Sequence, residues 1–207
     1  MFTYCNNNPI NYYDPTGLLV SISSMQWIEP SQFEGNSGRR IEKPPRGRVA
    51  VIYDGRDNSY FFGWVGDHGF RHQGEELVRR LSKNNAVEAY PFTSIEDFIE
   101  SWNGLDGAYS RIYIIAHGTE AALHCAGKSI GKDRSYDFSI LRPADVAIIN
   151  LFCCNGATVN SEGVSTAIIF ADLTGAMVGA VHNGKLNFSW YGCYPEPAEG
   201  GTWFVVH

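Results

Sequence analysis

The chain has 207 residues, 44% hydrophobic and 18% charged, a composition that folds and gives one α/β domain a sizeable core. A net charge of −6 without a Lys/Arg patch argues against nucleic acid as a partner. No apolar run approaches the ~20 residues of a membrane helix. The first residues lack the basic-then-apolar pattern of a signal peptide, so neither a membrane nor a leader is expected.

Residues 1–18 are rich in Asn, Pro, Asp and Gly and read as turns and extended pieces. Residues 19–47, ending in Arg39-Arg40 and Pro44-Pro45-Arg46-Gly47, read as a solvated linker. The organised part is therefore expected over 48–207. Residues 48–55 form a buried strand ending in a turn, followed by a Gly- and aromatic-rich loop over 56–69. The spacing predicts a helix over 70–83, with Leu77, Val78 and Leu81 on one face. A strand over 87–92 follows. Thr93 or Ser94 caps the next helix, with Asp97 at its third position if Ser94 is the cap, burying Ile95, Phe98, Ile99 and Trp102. A strand over 111–118, a hairpin over 121–130 and a turn near 137–141 come next. A strand from 146, a helix over 161–175, a strand over 177–181 and an aromatic hairpin or flap over 185–207 complete the chain. The β-α-β-α-β order implies a mostly parallel sheet with helices on both faces, an α/β three-layer sandwich carrying a C-terminal β-hairpin.

Two apolar runs carry the chemistry. One is Arg111-Ile-Tyr-Ile-Ile-Ala-His-Gly118 and the other Val146-Ala-Ile-Ile-Asn-Leu-Phe-Cys-Cys-Asn-Gly-Ala157. Each suits a strand buried on both faces of a parallel sheet, where chemistry gathers at the carboxyl ends. They deliver His117 and Cys154 to that edge. A thiol and an imidazole there are the minimum for nucleophilic catalysis, with the imidazole taking the thiol proton. Cys153 and Cys154 alternate in direction, so only one is the nucleophile. Cys154 is preferred because it lies at the very end of the run, next to Asn155-Gly156. His68, His72, His124 and His182 are weaker candidates, His182 following the last core strand. The odd set Cys5, Cys125, Cys153, Cys154 and Cys193 is a poor disulfide framework and fits a reducing compartment. No CxxC spacing appears, and neither a metal nor an organic cofactor is expected.

Two resemblances extend this reading. Tyr4-Cys5, Asn7-Asn8-Pro9-Ile10-Asn11 and Asp14-Pro15-Thr16-Gly17-Leu18 resemble the signature that closes the Rhs/YD-repeat core ahead of a variable C-terminal toxin. The resemblance implies cleavage after Leu18, with Asp14 matching one of the core's aspartates. It also implies an upstream Rhs shell, secretion and delivery into a target-cell cytoplasm, and a cognate immunity protein. The order strand–His117-Gly118, strand–Cys154, helix, Gly175-Ala176 and strand resembles the caspase-like cysteine peptidases, nearest to the CHAT pattern. It covers roughly residues 48–190. It implies Cys154 as nucleophile, His117 as general base and acid, and an oxyanion hole from the N–H groups of Gly118 and Cys154. Gly118 fits such a role because a residue without Cβ lets a carbonyl approach the backbone.

Together these imply an effector toxin acting as a cysteine endopeptidase on target-cell proteins. The resemblance also implies that the residue before the cut is held by the loop after the first core strand, which here offers Asp54, Arg56, Asp57 and Asp67, and by the strand after the fifth, which offers Ser189 and Trp190. An acidic pocket would prefer Arg or Lys and an Arg56 pocket an acidic residue, while Trp190 would give an apolar wall or a pairing strand. A Cys-His deamidase or acyltransferase and a non-catalytic caspase-like binding module are the alternatives. An α/β-hydrolase has its nucleophile ahead of the His, the reverse of this order.

Overall fold

The computed structural model describes residues 19–21, 47–56, 69–132, 134–188, 195–198 and 200–206. The 1–18 segment with Leu18, most of the 19–47 stretch, Asp57, Asp67, His68, Ser189 and Trp190 lie outside the described residues.

The strands are β1 (Leu19–Ser21), β2 (Arg48–Asp54), β3 (Ala86–Phe92), β4 (Tyr109–Ile115), β5 (His117–Thr119), β6 (Ala122–Cys125), β7 (Lys128–Gly131), β8 (Val146–Phe152), β9 (Met177–His182), β10 (Leu186–Phe188), β11 (Pro195–Pro197) and β12 (Thr202–Val206). The helices are α1 (Phe70–Leu81), α2 (Ile95–Asn103) and α3 (Thr166–Thr174). Seven strands form one sheet in the order β1-β12-β9-β8-β4-β2-β3. The five strands from β9 to β3 are parallel, and β12 and β1 add antiparallel to one side.

The central strands are apolar on both faces because both faces are covered. Ala50, Ile52, Ile112, Ile114, Ile149 and Leu151 face the layer that holds Phe98 and Trp102 of α2 and Phe170 of α3. Val49, Val51, Tyr53, Tyr113, Ile115 and Phe152 face Leu77 of α1. This alternation, period two along the central stretches of β2, β4 and β8, makes three layers. Gly74 sits where α1 crosses β2: a Cβ there would lie 2.2 Å from the Tyr53 ring, so no larger residue fits without moving the helix.

Local chemistry sets the helix ends. Ser94 caps α2 by accepting a hydrogen bond from Asp97 N, and the Asp97 carboxylate accepts from Thr93 N and its hydroxyl, a reciprocal box. The helix expected from residue 161 starts only at Thr166. Asn160 Oδ1 accepts from both Glu162 N and Val164 N, and Gly163 has φ +80°, so a side-chain turn holds this stretch instead. Ser165 then caps α3 through Ile168 N, and left-handed Gly175 ends it.

Three further differences from expectation concern pairing. Leu19–Ser21, read as linker, pairs with β12 as an edge strand. The hairpin expected over 121–130 is β6–β7, and it gains β5 as a third strand. The C-terminal stretch divides: β10 and β11 make a two-stranded hairpin, while β12 joins the main sheet, burying Phe204 and setting Trp203 against Phe152. Among the described residues, no helix is long and apolar enough to cross a membrane.

Candidate active site

From β2, the chain crosses through α1 to β3 on one side, then returns through α2 past β2 to β4 on the other. Connections that leave in opposite directions open a crevice beyond the carboxyl ends of the two strands. Asp54-Gly55-Arg56 leaves β2 there, and Ala116-His117-Gly118 leaves β4.

Strand register brings the thiol to the same edge. Ile115 of β4 is the partner of Phe152 of β8, and both side chains face α1. The pairing runs one step further, with Ala116 N donating to Phe152 O at 3.2 Å. Two residues beyond that pair are His117 and Cys154. Cys153 belongs to the opposite core, with α2 and α3, which turns Cys154 away from it. The His117 ring meets the Phe70 ring of α1 edge-on, centroids 4.6 Å apart, as its side of the sheet requires.

The two adjacent thiols differ in setting. Cys153 is 1% exposed, and burial pushes its pKa far above the usual thiol range. A Cβ on either Gly118 or Gly156 would stand 2.8 Å from its Sγ, so both glycines are needed to house this thiol. Gly118 thus has a packing reason as well as the catalytic one expected of it. Cys154 is half-buried. It opens a tight turn in which Asn155 is left-handed at φ 55°. The turn is tied to the neighbouring strand end: Asn155 N donates to Gly184 O at 3.0 Å and Ala157 N to Val181 O at 2.8 Å. His182, at the end of β9, meets the Ala157 carbonyl through Nδ1 at 3.4 Å and packs on Phe204. It braces the thiol's turn, while His117, just beyond the end of the neighbouring strand β4, is exposed.

His117 has its pKa lowered, first by desolvation and then by Arg56, with Asp54 acting in the opposite direction. A neutral imidazole at neutral pH is the form that takes a proton. Among the described residues, no hydrogen bond joins Cys154 to His117. Such bonds commonly tighten only when substrate is bound. The loop after His117 is held by α3, whose Thr166 N donates to Glu120 O at 2.6 Å. The helix that follows the thiol therefore also fixes the histidine side.

Asp54 and Arg56 have different positions. Asp54 is fully buried, and both its oxygens are engaged: Oδ1 accepts from Arg56 N and Nε, Oδ2 from Nη2 at 2.6 Å. It orients Arg56 and does not itself reach a ligand. Arg56 lines an open pocket of about 260 Å³ with His117, His124, Cys125, Lys128 and Ser129. The sequence reading missed the hairpin side of this pocket. The signal was there in His124 and Cys125 ahead of Ala126-Gly127, a tight turn with both φ values positive. It also overlooked the four-residue spacing of His68 and His72. His68 lies outside the described residues, and among those described no three His, Cys, Asp or Glu side chains group as metal ligands.

No protein-family model matches the chain, and no curated protein matches it either. The functional reading therefore rests on the sequence motifs and this geometry.

Proposed function

We propose that the chain is a cysteine endopeptidase of caspase-like type, acting through Cys154 and His117. The observation that carries the proposal is the register of β4 and β8, which sets the pair Ile115–Phe152 two residues ahead of the histidine and the half-buried thiol. His117 takes the Cys154 proton and the thiolate attacks a peptide carbonyl. Negative charge develops on the carbonyl oxygen, and the N–H groups of Gly118 and Cys154 are assigned to receive it. His117 then gives its proton to the leaving amine. A water molecule, deprotonated by the same ring, cleaves the thioester and restores the thiol.

The resemblance of residues 1–18 to the end of an Rhs core supports a second layer of the proposal. The peptidase is the toxin part of a secreted polymorphic effector, freed by a cut after Leu18 and delivered to the cytoplasm of a target cell. A target-cell protein is its substrate and an immunity protein its antagonist in the producer. The test is expression of the 207-residue chain in a bacterial and a eukaryotic host. Cys154→Ala and His117→Ala each abolish toxicity with the fold intact by circular dichroism, while Cys153→Ser retains most of it. Loss in Cys153→Ser alone would assign the reaction to the wrong thiol.

A further inference from the structure

We infer that Ser129 is a second nucleophile, activated by His124 and able to take the acyl group of a small carboxylic ester. This activity is independent of Cys154 and goes beyond the peptidase reading.

The residues come from three neighbouring strands. Leu123, Cys125 and Ile130 pack in the core. Strand alternation therefore turns His124 and Ser129, direct partners across β6 and β7, to the other face. There both are half-buried and line the open pocket. His124 Nδ1 lies 2.6 Å from Ser129 Oγ, and its Nε2 lies 3.3 Å from Thr119 Oγ1 on β5. Burial lowers the His124 pKa, and Arg134 and His117 add to the effect, so the ring is neutral at neutral pH. A neutral imidazole carries one N–H. With that hydrogen on Nε2 and Thr119 accepting it, Nδ1 is left to accept from the Ser129 hydroxyl. A hydroxyl within reach of a neutral imidazole, itself oriented by a third group, is the arrangement of an activated nucleophile.

The pocket supplies the rest. Its volume of about 260 Å³ suits a small acyl group. Arg56, its guanidinium fixed by the buried Asp54, and Lys128, shared with Glu96, also line it and give an oxyanion positive charge to face. Ser129 passes its proton to His124 Nδ1 and its Oγ bonds to the ester carbonyl carbon. The carbon–oxygen bond to the alcohol breaks, and the alcohol leaves with the proton from Nδ1. Water then gives a proton to Nδ1 while its oxygen bonds to the acyl carbon. The bond to Ser129 Oγ breaks, Ser129 recovers the proton, and the carboxylic acid leaves.

The test uses the full chain carrying Cys154→Ala, so that the thiol contributes nothing. The probe is an alkyl fluorophosphonate, with which an activated serine forms a phosphorus–oxygen bond as fluoride leaves. Intact mass and peptide mapping are expected to show one adduct, on Ser129, that is lost in Ser129→Ala. His124→Gln slows labelling about a hundredfold or more. Thr119→Val, which removes only the contact to Nε2, slows it about fivefold, the worth of one neutral hydrogen bond, and gives the answer should His124→Gln unfold. No adduct, an adduct elsewhere, or an unchanged labelling rate in these variants overturns the inference.

Discussion

Replacing Gly118 by alanine probes the seam between the two strand ends directly. The new Cβ would stand 2.8 Å from both Cβ and Sγ of Cys153 and 3.2 Å from the Ala122 carbonyl oxygen. Ordinary carbon contacts lie near 3.5–4.0 Å, so the neighbours must retreat by roughly 0.7 Å or more. Cys153 has little room to do so, because its Sγ is also hemmed in by Gly156. Overpacking of this kind costs about 1–3 kcal/mol. For a domain of this size that lowers the thermal midpoint by roughly 2–4 °C per kcal/mol, or about 2–12 °C in all. The assay is thermal unfolding of four proteins: unmutated, Gly118→Ala, Cys153→Gly and the double variant. Cys153→Gly empties the space the new methyl needs, so the double variant should be more stable than the sum of the singles by about 1 kcal/mol or more. Gly118→Ala should also depress activity, since it pushes the His117 loop away from β8. Additive losses, or a Gly118→Ala protein within about 0.5 kcal/mol of the unmutated chain, would refute the placement of Cys153 beneath Gly118.

The Asp54–Arg56 pair makes a second prediction. Arg56→Gln leaves a fully buried carboxylate without its counter-charge, at a cost of about 2–4 kcal/mol once the partial exposure of Arg56 is allowed for. Asp54→Asn combined with Arg56→Gln should recover more than half in urea unfolding, and failure to recover would place the cost elsewhere. Thiol reactivity separates the cysteines. Burial, with Asp54 adding to it, pushes Cys125 up to about 12. At pH 8 it therefore carries less than about a thousandth of the thiolate of an ordinary cysteine of pKa ~8.5. Iodoacetamide on the native protein should label Cys154 and leave Cys125 and Cys153 unmodified by peptide mapping, and labelling of Cys153 first would contradict the geometry. On the proposed mechanism the lowered His117 pKa sets the acid limb of kcat/KM. Protonation removes the base only below the usual imidazole value of 6.5, so activity persists to lower pH than a free imidazole would allow. A limb with its midpoint above 7 would sink that assignment.

Much of the fold is legible because the central strands obey a simple rule. The runs at 48–54, 109–115, 146–152 and 177–182 are mostly buried on both faces, so their sequences are mostly apolar. Ser94 with Asp97 announces α2 by side-chain chemistry alone. His117 and Cys154 stand out because each lies two residues beyond such a run. What the sequence hides is long-range pairing. Nothing local distinguishes a three-residue strand at Leu19–Ser21 from a linker; its partner β12 lies at the other end of the chain. The start of α3 was hidden because Asn160 competes with the helix for backbone N–H groups. The donor-lined pocket joins Arg56 to a hairpin tip more than sixty residues later, a juxtaposition that only the sheet order creates. The part Asp54 plays was likewise out of reach, because its burial depends on layers that form around it.

The most direct test of the central claim is N-terminal peptide profiling of cells expressing the 207-residue chain, set beside cells expressing Cys154→Ala. New protein termini are expected that appear only with the intact cysteine and are also absent with His117→Ala. Toxicity that depends on Cys154 but generates no new termini would contradict it, and would assign the thiol to a deamidation or acyl-transfer reaction instead.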